Sequence, residues 1–363
     1  GRDRITGLWR PTAFARDAKA PGEALKPHVQ QLLAGTPNRV RTAAARAAGE
    51  LGLAEASGTL AKLVQEKQGD AATRVAALQA LSQLQTPEYG PALEAAQSDP
   101  EEQVRKVALK LSVDAPPTAS KGPSGPATGA DPSARLADVI AKGSLSEKQN
   151  AFAALGKLQS PAAVALLTVW ANDLLAGNVR PELQLDVLDA AAQVPSLKPL
   201  VEKWEAAHAA KGEYGIEPWS VTLQGGNVDE GRKVFLERAE VSCVRCHKVN
   251  GEGGEVGPEL TGLVDKKGRE YVLQAIIHPN AAVAAGFESV LLILKNGTAY
   301  AGIITSETAD AIELNSPEEG LVTVKKSDIE SREKGLSGMP EGMGQLLSKA
   351  DLRNLIEYLA TVK

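Results

Sequence analysis

Residues 243–247, Cys243-Val244-Arg245-Cys246-His247, contain both cysteines of the 363-residue chain. Two cysteines at this spacing, with a histidine directly after the second, are typical of covalent haem attachment. Each thiol adds to one vinyl group of the porphyrin, and the adjacent histidine then lies beneath the iron as an axial ligand. The motif therefore predicts one covalently bound haem c, attached through Cys243 and Cys246 and ligated by His247.

Three other uses of a cysteine pair remain open beside haem attachment. A zinc site needs two further ligands, and the other histidines, His28, His208 and His278, show no paired spacing. A thioredoxin-like redox pair needs a βαβ context, which the surrounding pattern lacks. A disulfide across two residues constrains very little chain. The adjacent His247 favours haem attachment over all three.

A six-coordinate haem iron needs a second axial ligand. The chain has only two methionines, Met339 and Met343, and both lie in a Gly- and Pro-rich stretch before the last predicted helix. Such a stretch buries little, so core filling, the usual role of methionine, explains them poorly. We predict Met339 as the distal ligand and Met343 as an alternative, with a bis-histidine or open iron site as the remaining options.

The pattern around the motif predicts a domain at 213–363 that combines helices with a small sheet. The segment Ser348–Thr361 is amphipathic and begins with Ser348 and Asp351 at the positions of a capping box. Asn296-Gly297 is a strong hairpin signal. We expect an antiparallel β insertion at 287–332, whose predicted strands are 289–294, 299–305, 311–314 and 321–324.

Several motifs of this region are similar to those of one family of haem domains. Besides the attachment motif, they are Gly231–Phe235, Asn250–Gly254, Gly257–Leu260, His278–Asn280, Lys295–Gly297, Met339–Gly342 and Leu352–Leu359. Together they resemble the haem-binding domain type found in Planctomycetes–Verrucomicrobia proteins, across residues 224–363. The resemblance implies a cytochrome c fold with a β-rich insertion before the stretch that contains the two methionines. We call this stretch, residues 336–343, the methionine loop.

The same resemblance implies roles for individual residues. Met339 matches the distal-ligand motif Met-Pro-x-Gly, and Pro258, which follows Gly257, matches the residue whose carbonyl orients the proximal histidine. The chain departs from the family at Met343 and at His278, so these two stay as alternative distal ligands.

The resemblance also bears on partners and location. In this family the domain often follows repeats and a dehydrogenase domain, which implies a redox partner protein or an upstream dehydrogenase domain as electron donor. Covalent haem attachment occurs outside the cytoplasm, so a periplasmic or exported protein is implied. The chain begins with Gly1 in place of Met, and we expect a processed start or a cut within a longer chain.

Residues 24–113 carry a repeat. Arg41–Leu51 and Arg74–Leu84 share one pattern at a spacing of 33 residues, and a third copy begins near Arg105. Helical units at such a spacing are typical of an α-solenoid, and these resemble HEAT repeats. The expected domains are an N-terminal extension at 1–23, repeats at 24–113, a Pro/Gly/Ser-rich linker at 114–134, further repeats at 135–212 and the haem domain at 213–363. The predicted fold is thus mainly α: a HEAT-like α-solenoid followed by a cytochrome c domain with a small antiparallel β insertion.

The charge distribution and hydropathy of the chain bear on two questions, nucleic-acid binding and membrane insertion. Residues 213–363 hold 16 basic and 23 acidic side chains, and residues 1–212 hold the other 24 and 22. No stretch is basic enough for a nucleic-acid surface, so we expect no nucleic-acid partner. No apolar run reaches the roughly 18 residues of a membrane-spanning helix, so no transmembrane segment is expected in this chain.

These observations together favour electron transfer by a single His/Met-ligated haem on a helical-repeat docking scaffold. The repeats show no constellation of acid, base and nucleophile, so we expect no enzyme activity from the chain by itself, although it would fit within a larger dehydrogenase. The alternative function is a haem-based sensor or peroxidase with a labile distal ligand. A third hypothesis is that the chain is a scaffold for protein interactions and that its haem has only a structural role.

Overall fold

The computed structural model describes residues 19–35, 37–114, 131–316 and 319–363. Most of the predicted N-terminal extension (residues 1–18) and of the predicted linker (residues 115–130) lies outside the described residues. The chain divides into two compact units, one that ends at Leu167 and one that begins at Thr168. Within the described ranges, no helix is both long and apolar enough to cross a bilayer.

The first unit is built from helices, as the repeat pattern predicts. They are α1 (Lys19–Leu25), α2 (Val29–Ala34), α3 (Asn38–Glu50), α4 (Ser57–Gln65), α5 (Ala71–Leu84), α6 (Tyr89–Gln97), α7 (Glu102–Asp114), α8 (Ser133–Lys142), α9 (Leu145–Leu158) and the start of α10 (Pro161–Leu175).

Small residues let α3 and α5, the two best repeat copies, approach closely. Ala44, Ala45 and Ala48 of α3 are buried. A Cβ added to Gly49 would lie 2.8 Å from the Cα of Ala80 on α5. The alanine-rich sequence therefore forms the core of the repeats, because a larger side chain at these positions would separate the two helices.

The arginine that recurs in the repeat has a common structural role. Each one donates to a backbone carbonyl shortly before its own helix: Arg41 to Leu33, Arg74 to Gly69 and Arg105 to Asp99. Arg74 also makes a buried ion pair with Asp99, with Nε–Oδ2 and Nη2–Oδ1 distances of 3.0 and 2.9 Å. Such charge-assisted hydrogen bonds hold each helix to the segment before it, which explains why arginine returns at this spacing.

The second unit also contains many helices. They are the rest of α10, α11 (Pro181–Ala192), α12 (Lys198–Ala207), α13 (Val228–Glu237), α14 (Cys243–Cys246), α15 (Leu263–Lys267), α16 (Arg269–Ile277), α17 (Met343–Leu346) and α18 (Lys349–Thr361). The predicted capping box is present at α18, where the Ser348 side chain accepts from the Asp351 amide and Asp351 accepts from that of Ser348.

Helices α13 and α18 pack directly on each other. A Cβ on Gly231 of α13 would collide with the backbone carbonyl of Asn354 on α18. The rings of Phe235 and Tyr358 lie 5.9 Å apart across the same contact. Gly231 therefore sets how closely the two helices approach, since no larger residue fits between them.

A five-stranded antiparallel sheet confirms the predicted β insertion. The strands of the second unit are β1 (Lys248–Val249), β2 (Glu252–Gly253), β3 (Ser289–Leu294), β4 (Ala299–Glu307), β5 (Ala311–Ser316), β6 (Gly320–Lys325) and β7 (Ile329–Lys334). The order in the five-stranded sheet is β6-β5-β4-β3-β7, while β1 and β2 form a separate two-stranded pair beside the cysteine motif.

The edge strand β7 is absent from the predicted strands. Its sequence, IESREK, is largely charged and exposed, so it lacks the apolar alternation that identified β3 to β6. It pairs with β3, with Leu292 opposite Arg332. Charged edge strands are common because they prevent pairing with other chains.

The second unit includes helices from the second predicted repeat group. Arg353 of α18 forms an ion pair with Asp186 of α11 at 2.7 Å, and both side chains are nearly buried. Gly225, at a φ of 83°, lies against the backbone of Glu182 on α11. Helix α11 thus belongs to the same compact unit as α18, while the domain limits predicted from the sequence stay a prediction.

Candidate haem site

The cysteine motif forms a single helical turn, α14. The chain enters it through Ser242, whose φ of 44° lies in the left-handed region, and the Arg245 amide donates to the Ser242 carbonyl at 3.0 Å. Cys243 and Cys246 are half-buried, and neither forms a disulfide. One helical turn therefore brings both thiols to the wall of the same cleft.

The environment of Cys243 does not suit thiol–disulfide exchange. Burial raises the pKa of its thiol to about 11, whereas reactive redox cysteines have a pKa well below their ordinary value. Within the described part of the chain, no group of three or more His, Cys, Asp or Glu side chains is placed to hold a metal ion. The geometry thus favours neither the redox pair nor the zinc site.

His247 is held in one orientation by a backbone carbonyl. Its Nδ1 lies 2.8 Å from the carbonyl oxygen of Pro258. A carbonyl can only accept, so Nδ1 carries a proton, and in the neutral imidazole Nε2 then has the lone pair. This is the tautomer that an iron ligand requires, and donation to the carbonyl makes Nε2 a stronger ligand.

Gly257 leaves room for the imidazole of His247. A Cβ at this position would lie 2.5 Å from Cε1 and 2.8 Å from Nδ1 of the ring. The Gly257 amide also donates to the Cys246 carbonyl at 2.8 Å. The glycine-rich loop therefore folds back on the motif and supports the ring from one side.

A largely apolar cleft opens next to the motif. The space within it measures about 1260 Å³, open solvent at its mouth included. Its walls come from α14, α16, α18, the methionine loop and the β insertion, and include Cys243, Cys246, His247, Pro258, Val272, Ile276, Phe287, Ile303, Met339, Leu355 and Leu359. A flat, mostly apolar group tethered to two thiols fits this donor set and lining.

The structure brings most of the predicted site residues together. Cys243, Cys246, His247, Gly257, Pro258, Met339 and Met343 all line the cleft. Both methionines are half-buried.

The alternative ligand His278 lies elsewhere. It is not part of the cleft wall. Its Nε2 lies 3.2 Å from the carbonyl of Gly215, and its ring packs edge-on against Tyr214 and Trp219. This arrangement supports a structural role for His278 at the end of α16.

Sequence reasoning missed the contribution of the β insertion to the cleft. Ile303 of β4 and Phe287, just before β3, both line it. Apolar residues in short strands are equally expected to face the core of their own sheet. No local sequence signal distinguishes a strand residue that packs in the core of its own sheet from one that lines the cleft. Only the tertiary structure therefore identifies these wall residues.

Two protein-family models match parts of the chain, and both agree with this architecture. The family model described as HEAT repeats matches residues 25–111, and the model described as Cytochrome c matches residues 228–313. Among solved structures, human deoxyhypusine hydroxylase in complex with glycerol is 19% identical, with 56% of this chain and 93% of that chain covered and a TM-score of 0.22. No curated protein is similar enough to count as a match. The fold is therefore mainly α: HEAT-like repeats are followed by a cytochrome c domain, and a small antiparallel sheet lies near that domain.

Proposed function

We propose that this chain transfers electrons through one haem c, bound covalently to Cys243 and Cys246, with His247 and Met339 as axial ligands. One observation carries the proposal: the His247 Nδ1–Pro258 contact of 2.8 Å lies beside the cysteine pair, on a cleft that Met339 also lines. When bound, a haem supplies an iron centre that accepts and returns one electron.

The protein's own groups would adjust the reduction potential of that centre. The Pro258 carbonyl orients the His247 imidazole, and Gly257 leaves space for it. The apolar wall, with Val272, Ile276 and Leu355 among its members, would keep water from a bound haem and disfavour the extra charge of its ferric state. A methionine ligand raises the potential further than a second histidine would, so we expect a positive potential.

Electron transfer is favoured over a sensor or peroxidase function because the distal side offers a ligand. Met339 and its alternative Met343 both reach the cleft wall, and a thioether bound to iron would leave no open position for a gas or peroxide. Carbon monoxide provides the test. Exclusion from the reduced protein supports electron transfer, and tight binding supports the sensor or peroxidase.

The partner and the location belong to the same proposal. The motif resemblance supports a haem domain of the Planctomycetes–Verrucomicrobia type that accepts electrons from a dehydrogenase domain or partner protein, with the HEAT repeats as docking scaffold. It also supports a periplasmic or exported protein. The absence of cysteines outside the motif agrees with an oxidising compartment, where a stray thiol could mispair.

Haem attachment can be tested with the matured protein. Intact mass should show one haem per chain, and the pyridine haemochrome spectrum should be that of a c-type haem. The pigment should stay with the protein in acidified organic solvent. The double variant Cys243→Ser/Cys246→Ser should lose covalent attachment, whereas the neighbouring Ser242→Ala should retain it. A colourless wild-type protein, or pigment that is extracted, would contradict the proposal.

A further inference from the structure

The geometry points to Asn280 as the positioning residue that holds the loop of Met339 against the cleft. The inference rests on the proposed function, since it assigns the residue that keeps the distal ligand in place. Asn280 itself does not line the cleft, but Pro279 before it does. It therefore acts on the site through the loop and not by contact with the cofactor.

The Asn280 side chain bonds the loop on both sides of Met339. Its Oδ1 accepts from the Ser337 amide at 2.7 Å, and its Nδ2 donates to the Glu341 carboxylate. The amide N–H can only donate and the carboxylate can only accept at neutral pH, so the two partners define which way the Asn280 amide is oriented. One half-buried side chain thus bridges residues two before and two after the proposed ligand.

The position of Asn280 is itself well defined. It lies just beyond the end of α16, where the His278 amide donates to the Gln274 carbonyl at 2.7 Å. The intervening Pro279 has a restricted φ and is buried. Asn280 is consequently attached to a rigid helix end, so its amide can fix the loop.

Further contacts anchor the loop at both of its ends. Before Met339, the Gly335 amide donates to the Ser289 carbonyl at 2.9 Å, and the Ser289 hydroxyl donates to the Leu336 carbonyl. After Met339, a Cβ on Gly344 would lie 2.8 Å from Cγ2 of Ile277 on α16. Between these ends, the two hydrogen bonds of Asn280 join the loop around Met339 to the segment just after α16.

The inference is testable by exchanging donor and acceptor. Asn280→Asp keeps an acceptor for the Ser337 amide but places a second carboxylate opposite Glu341. Adding Glu341→Gln restores a donor–acceptor pair with the roles reversed. In the haem-loaded protein, Asn280→Ala and Asn280→Asp should bind carbon monoxide in the ferrous state at least about tenfold faster than wild type. The double variant Asn280→Asp/Glu341→Gln should recover most of the wild-type exclusion.

Two other readouts separate positioning from general stability. The reduction potential and the absorption band of the sulfur–iron bond should change in Asn280→Ala and return in the double variant. Hydrogen exchange at the Ser337 amide should accelerate in Asn280→Ala. As a matched control, Asn172→Ala removes an exposed asparagine whose amide bonds only one turn back, to the Thr168 carbonyl at 2.7 Å, and should change none of these.

The outcomes distinguish the two levels of the proposal. If the wild-type protein already binds carbon monoxide as fast as Met339→Ala, Met339 is not the ligand, and both the ligation and the role of Asn280 are wrong. If wild type excludes the gas and every Asn280 variant does too, only the role of Asn280 is wrong. The same holds if Asn280→Ala fails to fold and the double variant shows no recovery relative to Asn280→Asp.

Discussion

At the scale of single residues, contact with the His247 ring limits the size of the side chain that position 257 can carry. Its Cα lies so close to the imidazole that an added Cβ would fall 2.5 Å from Cε1. The ring and the chain after the cysteine motif are therefore in direct contact. Gly257 does not have a positive φ. The position therefore requires glycine for its small size and not for its backbone conformation.

We expect Gly257→Ala to displace the His247 ring and weaken its bond to the Pro258 carbonyl. Overpacking of this kind costs about 1–3 kcal/mol. The thermal midpoint of the haem-loaded protein should fall and the axial-ligand spectrum should change. Gly58→Ala is the control, because a Cβ there meets nothing within 4 Å. An unchanged spectrum in Gly257→Ala would mean that the ring does not occupy this position.

The two methionines of the cleft should differ in their effect. Met339→Ala should remove the sulfur–iron absorption band, allow carbon monoxide to bind and lower the reduction potential, because a soft thioether ligand is lost. Met343→Leu should keep all three properties, because leucine preserves an apolar wall of similar volume. The reverse result would identify Met343 as the ligand.

At the scale of secondary-structure elements, a salt bridge joins α16 to α18, two helices that contribute to the cleft wall. Arg269 of α16 donates twice to the Glu357 carboxylate of α18, at 2.9 Å each. Arg269 also bonds the Leu223 carbonyl, and the Gly226 amide donates to Glu357. The two side chains are largely buried, with 28% and 22% exposed. The pair therefore joins two helices that both line the cleft.

This pair should make the stability of the second unit depend on acid. Burial acts to raise the pKa of Glu357, but the hydrogen bonds and charge of Arg269, together with hydrogen bonds from the Gly226 and Gly225 amides, outweigh it, so the pKa lies below the ordinary value of 4.5. The ionised carboxylate thus stabilises the fold above about pH 4.5, and this contribution is lost as the pH falls through the lowered pKa.

Glu357→Gln should accordingly lower the free energy of unfolding by about 1–2 kcal/mol at pH 7. The difference from wild type should shrink as the pH drops below about 4.5 and vanish in stronger acid. Denaturant titrations at a series of pH values measure this. Glu237→Gln, at an exposed position of α13, is the matched control. A difference that persists unchanged into acid would exclude the charge as its cause.

At the scale of the whole molecule, the haem domain is stabilised by helices that precede its motif. Asp186 and Arg353 join α11 to α18 through two hydrogen bonds of 2.7 and 3.2 Å. Leu185 and Leu188 of α11 are buried. The compact unit is therefore larger than the 86 residues, 228–313, that match the cytochrome c family model.

A truncation series should measure the contribution of α11. We expect a chain that starts at Pro161 to unfold at a higher temperature than one that starts at Glu213. The shorter chain loses the apolar packing of α11 and the partner of Arg353, at a cost of about 2–4 kcal/mol. Asp186→Ala in the full chain should reproduce part of the loss. Equal stability of the two truncated forms would show that α11 contributes nothing to the haem domain.

Much of the fold could be predicted because its signals are local. The helical repeats, the capping box at Ser348 and the Asn296-Gly297 hairpin each depend on residues close together in sequence. The charged strand β7 carries no such signal, because its place in the sheet comes from pairing with β3, about 40 residues earlier. The same reason explains why Ile303 could not be identified as part of the cleft wall.

The class of cofactor could be predicted from the sequence alone, because the spacing of Cys243, Cys246 and His247 is fixed along the chain and its interpretation requires no knowledge of the fold. Which residues hold the loops around the candidate site depends on contacts between distant segments: Asn280 bonds Ser337 and Glu341, and His278 bonds Gly215 outside the cleft wall. These contacts arise from the packing of α16, the sheet and the methionine loop, because burial and hydrogen-bond geometry exist only once those elements meet in three dimensions.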